Sequence, residues 1–95
     1  MNLVEFNVVY KGVSKRDGGE FTNEKGEVVK YEPSYVIKFD EDVDGDIRER
    51  RLKFPLTNKM LYSKLDGIDV YSKITLVCDI QLFTGNAKVL PIDIK

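Results

Sequence analysis

The chain has no histidine, no tryptophan and a single cysteine, Cys78, and each shortage removes a class of chemistry. Zinc and copper centres need clusters of imidazole or thiolate ligands, so no metal site and no cofactor are expected. Ser-His and Cys-His nucleophile pairs are excluded on the same ground. Acid–base catalysis would fall to carboxylates, lysine or tyrosine alone. A chain of 95 residues has little room for the deep cleft that paired catalytic carboxylates require. The expectation is a binding protein and not an enzyme. One cysteine also excludes an intrachain disulfide, which fits a reducing, cytoplasmic location. No uncharged apolar run approaches the roughly 20 residues of a membrane helix, so no membrane role is expected. Residues 1–6 alternate polar with apolar and lack a basic leader, so they read as part of the fold and not as a signal peptide.

What is present suits one globular domain over residues 1–95, with 42% hydrophobic and 33% charged residues. Fifteen basic and sixteen acidic side chains nearly cancel to a net charge of −1. Their distribution is uneven. Acidic residues crowd into Asp40-Glu41-Asp42-Val43-Asp44-Gly45-Asp46, and Arg48-Glu49-Arg50-Arg51-Leu52-Lys53 follows directly. Fields are screened beyond about 10 Å, so a near-neutral chain can still present a basic groove. The same two runs also read as the solvated flanks of a hairpin. Asp40-x-Asp42-x-Asp44-Gly45 matches half of an EF-hand loop, but the position that should supply a bidentate carboxylate is Arg51. A hairpin tip is the expectation there.

Alternation of apolar and polar residues marks strands along most of the chain. Val4, Phe6, Val8 and Tyr10 share one face of the first, and Tyr35, Ile37 and Phe39 share one face of the second, which runs from Val28 to Phe39. Ile47 to Phe54 makes a third, whose even face carries Arg48, Arg50, Leu52 and Phe54. Between Pro55 and Gly67 the period changes, and Met60, Leu61 and Leu65 predict a short helix with Thr57 as its cap and Gly67 at its end. Ile74, Leu76, Cys78, Ile80 and Leu82 form the apolar face of a fourth strand, with Cys78 a small core hydrophobe. Leu90, Ile92 and Ile94 lie on the last, where Pro91 signals an edge or a bulge. This order predicts an all-β chain: a five-stranded OB-fold-like Greek-key barrel with one short helix between strands 3 and 4.

Residues 15–26 read as a long mobile loop between the first two strands, carrying Lys15, Arg16, paired glycines and Phe21. Tyr31 stands beside it, between Lys30 and Glu32. Exposed rings interleaved with cations are what a base-stacking platform requires, while Lys and Arg follow phosphates. Cross-strand packing is the other reading of Tyr31 and Tyr35. Phe83, next to the Thr84-Gly85-Asn86 turn, lies at a hairpin tip with no evident core to enter. With Leu82 it makes an apolar tip suited to a two-fold dimer interface; folding back onto the barrel is the alternative.

The arrangement resembles the small single-stranded-DNA-binding proteins of filamentous phages, the gene V type, and their phage and plasmid relatives. The resemblance rests on length, strand order, the basic loop at Lys15 and Arg16, and the Gly26-to-Tyr31 approach. The Tyr35-Val36-Ile37 strand, the terminal hairpin with Phe83, and Leu90-Pro91 complete it. It implies base stacking by Tyr31 or Tyr35 and by Phe83. Phosphate neutralisation falls to Lys15, Arg16 and the cluster of Arg48, Arg50, Arg51 and Lys53. The implied function is non-catalytic, sequence-tolerant binding of single-stranded DNA, as a homodimer, in phage or mobile-element replication or recombination in the host cytoplasm. The acidic 40–46 loop, a longer middle segment and the near-zero charge depart from that family. The alternative is a small β-barrel interaction or virion-assembly module that binds no nucleic acid.

Overall fold

A computed structural model describes residues 2–95 and all of their side chains except that of Phe83. In chain order the elements are β1 (Leu3–Arg16), β2 (Gly19–Thr22), β3 (Val28–Tyr31), β4 (Ser34–Val43), β5 (Asp46–Pro55), α1 (Lys59–Asp66), β6 (Lys73–Phe83) and β7 (Asn86–Ile94). Five of the strands form one antiparallel sheet in the order β5-β4-β1-β6-β7, and β2 pairs with β3 in a separate ribbon. The large sheet curls into a half-barrel that brings its two edge strands, β5 and β7, toward one another.

The long first strand makes this curl possible. Leu3 to Val9 pairs with β6, and Val9 to Arg16 pairs with β4. A register shift between Tyr10 and Gly12 leaves Lys11 as an extra residue, and Gly12 adopts φ +133°, a conformation that residues with side chains rarely take. The kink moves the inward face from even to odd positions. Val8 and Tyr10 point into the core before it, and Val13 packs against the core after it. Tyr10 at the bend exchanges backbone hydrogen bonds with Tyr71 and Ser72, and Tyr71 takes a left-handed φ of 71° to reach it.

The concave face buries Val8, Tyr10, Ile37, Phe39, Phe54, Ile74, Leu76 and Cys78, and α1 adds Leu61 and Leu65. An eight-residue helix is too short to persist alone in water. Burial of Leu61 and Leu65, four residues apart on one stripe, contributes about 1.5–3 kcal/mol each and holds it in place. Asn58 caps the helix by accepting from the Leu61 N–H at 3.2 Å, and its amide donates to the Ile92 carbonyl, tying the helix start to β7. Pro91 is buried in edge strand β7 beside a second register shift, where its missing N–H breaks no ladder.

Three expectations are corrected. The helix follows the fifth of seven strands, not the third of five, because residues 15–31 are folded as part of β1 and the β2–β3 hairpin. The expected mobile loop is therefore largely a ribbon, closed where the Asn23 side chain accepts from the N–H groups of Lys25 and Glu27. The cap is Asn58, one residue beyond Thr57, and Met60 faces solvent because it lies off the stripe of Leu61 and Leu65 that packs on the core. The acidic segment is the β4–β5 hairpin, turned by Asp44 and Gly45 at φ 53° and 84°. Its Asp42 carboxylate accepts from the Gly45 N–H. Among the described residues no acidic or sulfur cluster is disposed to hold a metal ion.

Candidate nucleic-acid interface

Side chains alternate across a strand, so the β4–β5 register sorts the charges of the sheet onto two faces. Tyr35, Ile37, Phe39 and Glu41 of β4 face inward, opposite Phe54, Leu52, Arg50 and Arg48 of β5. Val36, Lys38 and Asp40 face outward, opposite Lys53, Arg51 and Glu49. On the other side of β4, Ser14 of β1 meets Val36 and Gly12 meets Lys38. Gly12, Ser14 and Val36 are small, so the outer face sinks between longer neighbours.

The result is an open groove of about 600 Å³ rimmed by Lys11, Lys15, Arg16, Lys38, Arg51 and Lys53. Five of these cations belong to the outer face or to the Lys11 bulge, Lys15 borders the end from the register of inward-facing Tyr35, and none of the lining residues is a carboxylate. At one end Glu49 receives the Lys11 ammonium at 2.8 Å and the Lys38 ammonium at 3.3 Å, and Arg51 stands at 3.9 Å. Asp40 lies 3.5 Å from Lys11. The hydrogen bond from Lys11 holds the Glu49 carboxyl below its ordinary range, and the same bond raises Lys11. At the other end, Lys15, Arg16 and Lys53 make no ion pair among the described residues.

Beyond the last β1–β4 pair, Arg16 with Ser34, the β2–β3 ribbon prolongs the same two chains. Phe21 and Tyr31 share one face of this arm, with ring centroids 6.3 Å apart, and each is about half exposed. The Tyr31 ring lies across Gly19, where an added Cβ would come within 2.7 Å of its hydroxyl oxygen. Glycine at 19 is therefore what lets Tyr31 lie flat.

The residues singled out from sequence are divided by this geometry. Lys15, Arg16, Arg51 and Lys53 are brought together in the groove, and Tyr31 sits on the arm at its end. Arg48 and Arg50 are on the opposite face of β5, held by Asp46 and Glu41 at 2.9 Å each. The cluster of four basic residues is thus two pairs facing apart. Tyr35 is packed and not available as a platform: its ring stacks on Tyr62 at 4.3 Å and tilts against Phe54. Leu82 is 73% exposed at the β6–β7 tip, while the Phe83 side chain lies outside the described residues. Lys11 and Lys38 were missed, although alternation from Tyr10 and Ile37 marks both as outward. The one thiol, on Cys78, is fully buried, and burial pushes its pKa up to about 11, against a small opposing pull from Arg50. Such a thiol is protonated and inert near neutrality. No helix among the described residues is long and apolar enough to cross a membrane. No family model, curated protein or solved structure matches this chain.

Proposed function

We propose that this protein binds single-stranded DNA without catalysing a reaction, and that its half-barrel is an OB-fold. The observation that carries the reading is the cation-lined groove across β1, β4 and β5, together with two exposed aromatic rings on the β2–β3 arm that follows β1 and precedes β4. Phosphates would follow the cations, and bases would stack on Tyr31 and Phe21. Stacking contributes about 1–3 kcal/mol per base and is indifferent to sequence. Ligand binding on the outer strand face beside a projecting loop is the usual arrangement on OB-folds. The β5-β4-β1-β6-β7 order and the approach of β5 to β7 support that fold. The biological setting in this reading is that of the gene V type: coating of exposed single strands during replication or recombination of a phage or mobile element, in the host cytoplasm.

Leu82, exposed at the β6–β7 tip, supports assembly as a homodimer through that tip. It is also the observation that favours the second reading, a module that docks another protein there. Fluorescence anisotropy with labelled oligo-dT against a duplex of equal length tests the first reading. The expected result is preference for the single strand, weakening as salt rises. Equal binding to duplex, or no response to salt, would reject it. Sedimentation equilibrium tests the dimer.

A further inference from the structure

Three cations from three adjacent strands converge on one carboxylate beside the Lys11 end of the groove. Lys11 of β1, Lys38 of β4 and Arg51 of β5 approach the two oxygens of Glu49 at 2.8, 3.3 and 3.9 Å. Such convergence on a small oxyanion is the geometry of a phosphate site. Here the oxyanion belongs to the chain itself. The side chains of Lys38, Arg51 and Glu49 are 39%, 65% and 39% exposed, while that of Lys11, which Asp40 also approaches at 3.5 Å, is 23% exposed, so an external anion reaches the cluster from the Lys38 and Arg51 side.

We propose that Lys11, Lys38 and Arg51 form a phosphate-binding site whose resident occupant is the Glu49 carboxylate, which an incoming polyanion displaces. Glu49 is then an affinity-limiting residue: it keeps the site ordered when empty and competes with each phosphate that enters it. The inference rests on reading the groove as a polyanion track, and deepens that reading by fixing where one phosphate seats. A purely structural ion pair differs in its consequence, because its loss would not improve binding.

The test compares wild type, Glu49→Gln and Asp46→Asn, with labelled oligo-dT and inorganic polyphosphate as separate probes at several salt concentrations. Asp46→Asn removes the same charge on the face of β5 away from the groove. One further phosphate contact steepens the slope of log K against log salt by about 0.7, which is about fivefold in affinity at 0.1 M salt. Glu49→Gln should therefore bind both probes about fivefold tighter, and Asp46→Asn should stay within about twofold of wild type. In wild-type protein, saturation with polyphosphate should shift the Glu49 carboxyl carbon resonance and leave that of Asp46 in place. Glu49→Gln binding no tighter than Asp46→Asn, or a stationary Glu49 resonance, overturns the proposal. If polyphosphate binding tightens while no variant binds oligo-dT, the phosphate site stands and the single-strand reading falls. If wild type binds oligo-dT with a clear salt response and Glu49→Gln gains nothing, the reverse holds.

Discussion

Arg51 and Lys53 face the groove while Arg48 and Arg50 face away, so paired charge reversals on one strand separate groove binding from general electrostatics. Four to six phosphate contacts would give wild type a salt slope of about −3 to −4 with single-stranded DNA. Each contact contributes about 0.7 to the slope, hence about fivefold at 0.1 M salt, and losing two costs about 25-fold. Arg51→Glu with Lys53→Glu should weaken oligo-dT binding at least that much and flatten the slope by about 1.4. Both side chains are exposed, so the melting temperature should barely move. Arg48→Glu with Arg50→Glu makes the same change in net charge. It should alter affinity by no more than about threefold, since the nearest screened charges are on the far face of the sheet. It should, however, lower the melting temperature, because Glu41, whose side chain is 19% exposed, loses its Arg50 partner and gains a like charge opposite. Anisotropy titrations at four salt concentrations, with thermal melts of the same samples, give all of these quantities. Equal loss of affinity in the two double variants would refute the groove as the binding surface.

Gly12→Ala meets no atom within 4 Å, so its penalty is conformational: φ +133° should cost about 1–3 kcal/mol, read as a lower midpoint in urea. Asn58→Ala removes the helix cap and the bond to Ile92, and should destabilise by about 1–2 kcal/mol, lowering the melting point by roughly 5–15 °C. Cys78 has an ordinary thiol pKa of 9.0 and a folded value of about 11, so the unfolded chain ionises first. Its contribution is fully present below pH 9.0 and falls by about 3 kcal/mol as pH rises to about 11. Denaturation of wild type and Cys78→Ala across that range should show the difference between them shrinking by this amount. A constant difference would mean that the thiol titrates normally.

Alternation made five strands of the sheet legible because one face of each is buried, and burial writes itself into the residue pattern at every second position. The same logic placed Cys78 in the core and Pro91 at an edge or bulge. It failed across Gly12, where one extra residue reverses the parity, so that Val13 joins the face of Val8 and Tyr10. It also missed β2 and the break at Glu32-Pro33 that divides the expected Val28–Phe39 strand into β3 and β4; β2 and β3 bury almost nothing, and their pairing depends on the Asn23 turn and on the glycine that lets Tyr31 lie flat. The groove itself was half legible. Lys15, Arg16, Arg51 and Lys53 stand out as charge in the sequence, but a run of charged residues at consecutive positions hides the fact that a strand sends them to opposite sides. Lys11 and Lys38 come to the groove from strands far apart in sequence, and only the β1–β4 register brings them to one carboxylate.

The double pairing of β1 sets an order on the events of folding. The β4–β5 and β6–β7 hairpins close over two-residue turns and need only local search. β1 must find Ser34–Asp40 with one half and Lys73–Asp79 with the other, so its N-terminal half closes a loop of some seventy residues. On the ribosome this strand leaves the exit tunnel before either of its partners, and it acquires the second only after β4, β5 and α1 have been made and β6 follows them. Until then Val4, Phe6 and Val8 have no β6 to cover them, and the β1 edge is open to any other strand. Of the five strands of the sheet, the one made before the others is thus the last to be secured on both edges, and the interval between those two moments is when this sheet is most exposed to pairing with another copy of itself.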